Sequence, residues 1–146
     1  MRTSGYLGMV ALTFYHLLGT GDVHVLLHVT GLIRLDRDSL FIEWQASRVE
    51  HLRSPQKWTR GEVQQLVVPL ASIESVSYKP RWLSAGTLTI RAFSLTTLQA
   101  LPGAINAFWS VKVHRSERAR ARELTGESSL RLANQRLHEL ESGEPR

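Results

Sequence analysis

Residues 66–92 read LVVPLASIESVSYKPRWLSAGTLTIRA, and the way this stretch divides decides the fold. QLVVPL at 65–70 predicts a strand, with Pro69 near its end, where a missing N–H costs least. SIESVSY at 72–78 predicts a second strand with Ile73 and Val76 turned inward. TLTIRAF at 87–93 alternates, with Leu88, Ile90 and Ala92 on one face and Thr87, Thr89, Arg91 and Phe93 on the other. The corner between these last two strands carries Lys79, Arg81 and Trp82. Either that corner touches a partner, or it only makes the turn.

The twofold period continues outward in both directions. Upstream, VHVLLHV at 23–29 is followed by a break at Thr30-Gly31, then LIRLD at 32–36, a turn at 37–39 and LFIEWQA at 40–46. The core candidates of that hairpin are Leu32, Leu35, Leu40, Ile42 and Trp44; residues 32 and 35 differ in parity, which implies a bulge or a strand edge lying elsewhere. SRVEHLRSPQKWTRGEV at 47–63 is polar, contains Pro55 and Gly61, and predicts a long loop. Downstream, SLTTLQALPGAIN at 94–106 predicts a second long loop, and AFWSVKV at 107–113 the last strand. About seven consecutive strands with mostly short gaps argue for an antiparallel barrel or sandwich rather than βαβ units.

From Ser116 onward the period becomes helical, with Ser116 as N-cap, Gly143 as a C′ residue and Pro145 as a stop. Two apolar stripes run along this helix. Ala121, Leu124, Ser128 and Leu132 share one side; Leu130, Ala133, Leu137 and Leu140 lie on nearly the opposite side. One domain surface cannot take both on a straight helix. The first is expected to plug the β-domain and the second to face another surface, unless a bend at Gly126 reconciles them.

The order of elements resembles the pleckstrin-homology-like (PH-like) fold. Residues 66–92 are similar to bacterial PH-like domains of unknown function, in which a V-P-L-x-x-I-x-x-V strand leads into a Trp- and Gly-bearing hairpin and an L-x-I/L-R strand. The ERARARELTGESSLRL helix also looks like theirs, and the resemblance covers about residues 23–135. It implies a roll of about seven antiparallel strands capped by a C-terminal helix; the chain is divided accordingly into a domain at 22–141, with its helix at 116–141, and a tail at 142–146. Eukaryotic phosphoinositide-binding members carry a basic motif between their first two strands. Here that connection is read as Thr30-Gly31, and no Lys or Arg lies between Met9 and Ile33, so specific phosphoinositide binding is not expected.

Residues 1–21 lie outside that resemblance. YLGMVALTFYHLL at 6–18 is apolar nearly all round and is read as a short buried helix. As a helix it would span roughly 20 Å, short of the ~30 Å hydrocarbon core of a bilayer. The alternative is a signal peptide, with Arg2 as a thin n-region and Gly19-Thr20-Gly21 as the cleavage site. The expected location is the cytoplasm, at the membrane periphery if lipid is bound; export follows only from the signal-peptide alternative.

At 146 residues, 42% hydrophobic and 21% charged, the composition fits one globular domain. There is no cysteine, which excludes disulfides and thiolate metal sites. The net charge of +5 is uneven: residues 79–122 hold eight cations against Glu117 alone, a local +7 that leaves −2 for the rest. An anionic partner or a merely solvated basic face would both account for it.

The sequence contains no phosphate-cradling loop and no nucleophile elbow. His24 and His28 share a face and His16 could join them as a metal site, although packed strand histidines are the commoner case. Two segments combine Trp with cations: Lys57, Trp58 and Arg60, and Lys79, Arg81 and Trp82. On one end of a barrel they would make a weak anchor on anionic lipid; Trp82 is otherwise expected to fold back over the barrel end. The first expectation is a non-enzymatic module, without a cofactor, that binds a protein partner or self-associates. An anionic membrane, met through the N-terminal apolar helix together with the two Trp-bearing basic segments, comes second and a histidine metal site or enzyme third; nucleic acid is not expected.

Overall fold

The computed structural model describes residues 9–18, 25–50, 57–83 and 85–142. Seven strands follow one another: β1 (Val10–Leu18), β2 (Val25–Asp36), β3 (Ser39–Glu50), β4 (Lys57–Pro69), β5 (Ile73–Lys79), β6 (Gly86–Ala92) and β7 (Phe108–Val113). Among the described residues one long helix, α1 (Arg118–Ser142), follows them. Strands β1–β2–β3–β4 form one sheet in that order and β5–β6–β7 a second, with every pairing antiparallel.

The count of seven agrees with the sequence, but the strands are apportioned differently. Val10–Leu18 is an edge strand, not a helix, and pairs with β2 from Val10↔Ile33 to Leu18↔Val25. The run lacks a polar side as a helix because it lacks one as a strand. Val10 and Leu12 enter the core, while Tyr15 and Leu17 on the other face stay in water. Cleavage after Gly21 would therefore take a paired edge strand with it. Thr30-Gly31 is no break either; both lie within β2. Gly31 sits opposite Trp44, where a Cβ would lie 2.3 Å from the Glu43 carbonyl oxygen, so this glycine allows close backbone approach. The connection between the first two strands thus runs through residues 19–24, which also contain no Lys or Arg. Within β2 the core position is Ile33 and not Leu32, which pairs with Glu43 on the outer face, so no bulge is needed there.

The polar stretch 47–63 is mostly strand. β3 continues to Glu50 and β4 starts at Lys57, with a bulge that sets Gly61 and Glu62 against Ala46. Gln45 Nε2 bridges the bulge to the Gly61 carbonyl at 2.8 Å. This part of the ladder stands in water, as exposed Arg48, Thr59, Arg60 and Glu62 show, and so carries no apolar alternation.

Between the sheets lies one core, containing Ile33, Leu40, Ile42, Ile73, Leu88, Ile90 and Trp109. The chain turns from one sheet to the other in a single 3-10 turn, Leu70–Ser72. On the far side β1 packs against β7, Phe14 meeting the Trp109 ring edge-on at 6.3 Å. Trp109 Nε1 in turn donates to the Pro102 carbonyl at 2.9 Å and ties down the connection before β7.

Helix α1 enters through a 3-10 turn at Arg115–Glu117, capped by His114, whose ring nitrogen accepts from the Ser116 N–H; Ser116 is not itself the cap. Gly143 and Pro145 lie outside the described residues. Ala121, Leu124, Ser128 and Leu132 are the buried residues of α1, the stripe its spacing predicts. The helix also covers the outer edge of β5, with Arg136 Nη2 donating to the Glu74 carbonyl at 2.6 Å and Ser129 Oγ to that of Val76 at 3.5 Å. Backbone groups that would otherwise form an open strand edge are thus occupied.

Candidate functional site

The corner joining β5 and β6 is the first candidate. Its base is tight: a Cβ on Gly86 would come within 2.5 Å of the Tyr78 hydroxyl, so the Tyr78 ring lies directly over the first residue of β6. Beyond that base Lys79, Pro80, Arg81, Trp82 and Leu83 are all exposed. Trp82 is 85% accessible and Leu83 74%, so Trp82 does not fold back as a plug. The half-buried Tyr78 packs there against the core, which leaves the tryptophan outside.

The corner is nevertheless held. Arg118, the first residue of α1, donates from Nη2 to the Arg81 carbonyl at 2.8 Å. Its neighbour Glu117 accepts from the Ala11 N–H at 2.9 Å and pairs with Arg120 at 3.5 Å. The one acid of the basic region is therefore committed elsewhere. Among the described residues neither Lys79 nor Arg81 has an acidic partner.

The second tryptophan segment is in another place and another conformation. Lys57, Trp58 and Arg60 belong to the first turns of the β4 ladder, in register with Glu50, Val49 and Ser47. Val49 pairs with Leu26, and Leu26 with Leu17, so Trp58 stands level with the end of β1. The Trp82 corner stands by Glu117 and hence by Ala11, at the start of β1. Six residues at about 3.3 Å each put roughly 20 Å of strand between those levels. The two segments do not share one end of the molecule.

The outer stripe of α1 is the third candidate. Leu130, Ala133, Leu137 and Leu140 are all exposed, Leu137 at 57% and Leu140 at 79%. A bend at Gly126 does not reconcile the stripes, because α1 is continuous through it and nothing lies within 4 Å of where its Cβ would be.

The histidines separate. Tyr15 pairs with His28, and their rings stack at 4.7 Å on the outer face of the four-stranded sheet. His16 is one residue on, facing inward, with Nδ1 3.6 Å from where a Cβ on Gly103 would be. His16 and His28 thus point to opposite sides, and His24 lies outside the described residues. Among the described residues no three His, Cys, Asp or Glu are grouped to hold a metal ion. No described helix is long and apolar enough to cross a membrane.

Sequence reasoning missed the exposed apolar positions on the outer face of the four-stranded sheet, Tyr15, Leu17, Val63 and Val67. Residues 10–18 taken as a strand would have revealed the first two by parity alone.

No protein-family model matches this chain, and neither a curated protein nor a solved structure matches it at a significant level.

Proposed function

We propose that the chain is a non-enzymatic, PH-like binding module that engages a protein surface, a second copy foremost, through the outer face of α1. The fold assignment is supported by the division into four and three antiparallel strands and by the closing C-terminal helix. The binding role is carried by one observation: the helix that buries Leu124 and Leu132 leaves Leu130, Leu137 and Leu140 in water. A lone exposed leucine is ordinary, but a stripe over three turns of one helix is a contact surface.

The spacing favours a second copy. Positions 130, 133, 137 and 140 step by three, four and three, the a/d repeat by which helices pair with their own kind. Three turns of helix make a small interface, so association is expected to be weak and concentration-dependent. Light scattering across a concentration series tests this: the mass rises with concentration for the native chain, and Leu137→Glu holds it at the monomer. A native chain that stays monomeric throughout overturns self-association.

A further inference from the structure

We infer that the β5–β6 corner is a membrane-contacting tip, which seats Trp82 and Leu83 in the headgroup layer of an anionic lipid surface. This goes beyond the helix-face reading and concerns a different part of the molecule.

Three features of the corner support it. Trp82 and Leu83 are consecutive, both largely accessible, and stand beyond the last ladder pair of the β5–β6 hairpin, Lys79↔Thr87. They therefore lead any approach from that side. The corner is also fixed: Arg118 grips its backbone at the Arg81 carbonyl, and Pro80 restricts the chain immediately before it. An anchored tip loses less freedom on binding than a loose loop.

The third feature is charge. Lys79 and Arg81 flank the apolar pair, and Arg122, one turn after Arg118, is exposed on the same side of the helix. No acid occurs between Lys79 and Glu117, and Glu117 is already occupied by the Ala11 N–H and Arg120. Among the described residues Lys79 and Arg81 thus stand in the rim without an acidic partner. Tryptophan favours the interface between water and acyl chains, leucine the acyl side, and lysine and arginine the anionic headgroups. A single-stranded nucleic acid would use the cations and the indole but has no use for Leu83.

Sedimentation of the full chain with phosphatidylcholine vesicles, with and without phosphatidylserine, tests the tip. Binding is expected only with phosphatidylserine, falling with added salt. Trp82→Ala/Leu83→Ala should weaken it at least tenfold, by loss of the inserted pair. Each cation contributes about fivefold near such a surface, so Lys79→Ala/Arg81→Ala should weaken it on the order of 25-fold. All four side chains are exposed and hydrogen-bond to none of the described residues, so circular dichroism should be unchanged in both variants. Leu137→Glu should bind vesicles as the native chain does, which keeps this test separate from that of the helix face. The inference is overturned if the native chain ignores phosphatidylserine vesicles, if neutral vesicles bind equally, or if Trp82→Ala/Leu83→Ala binds undiminished. It is equally overturned if the chain retains a single-stranded oligonucleotide in place of the vesicles.

Discussion

The two sides of α1 contain nearly the same kinds of residue and meet opposite fates. Ala121, Leu124 and Leu132 lie against the β-domain, whereas Leu130, Ala133, Leu137 and Leu140 face water. The buried side even includes a serine, Ser128, fully enclosed. Apolar character therefore does not decide which stripe is covered. The inner stripe holds smaller groups at 121 and 128, which let the helix axis approach the strands, and the β5 carbonyls fix its rotation through Arg136 and Ser129.

The strongest way to break this comparison is to remove the inner leucine. Leu124→Ala should cost about 2–5 kcal/mol of stability, since a fully buried leucine leaves a cavity, and urea unfolding followed by circular dichroism will measure it. A loss below about 1 kcal/mol would mean that α1 is not packed on the core as described.

Two smaller substitutions sharpen the contrast in the stabilising direction. Gly126→Ala should add about 1 kcal/mol, because a methyl there meets nothing and alanine is the better helix former. Ser128→Ala should add about 1 kcal/mol, because the Ser128 hydroxyl is buried without a protein hydrogen-bond partner. Thermal unfolding of the pair measures both. The smallest effect belongs to the outer stripe: Leu137→Glu should change monomer stability by less than about 0.5 kcal/mol, while removing any association.

The helix was legible in the sequence because its inner stripe obeys the helical period; 121, 124, 128 and 132 are the positions the structure buries. So were the inward residues of β6, Leu88, Ile90 and Ala92, whose alternation is complete. Residues 10–18 were not, since an edge strand apolar on both faces has no period to betray it. Nor was the β3–β4 ladder beyond Ala46, where exposed Arg48, Thr59, Arg60 and Glu62 break the pattern and the Gly61 bulge shifts the register. Of the candidate surfaces, the α1 stripe was visible from periodicity. The exposure of Trp82 was not, because the base of its corner is filled by Tyr78 against Gly86, a contact between residues eight apart on different strands.

The grip of Arg136 and Ser129 on β5 has a consequence for how this protein would fail. A chain shortened before Arg118 loses more than a hydrophobic lid: β5 becomes a naked border whose carbonyls seek new donors. The nearest donors in a concentrated solution are the same strands of other shortened chains. Damage to the C-terminal segment should thus first show itself as precipitation through strand-to-strand growth, before the remaining β-structure melts.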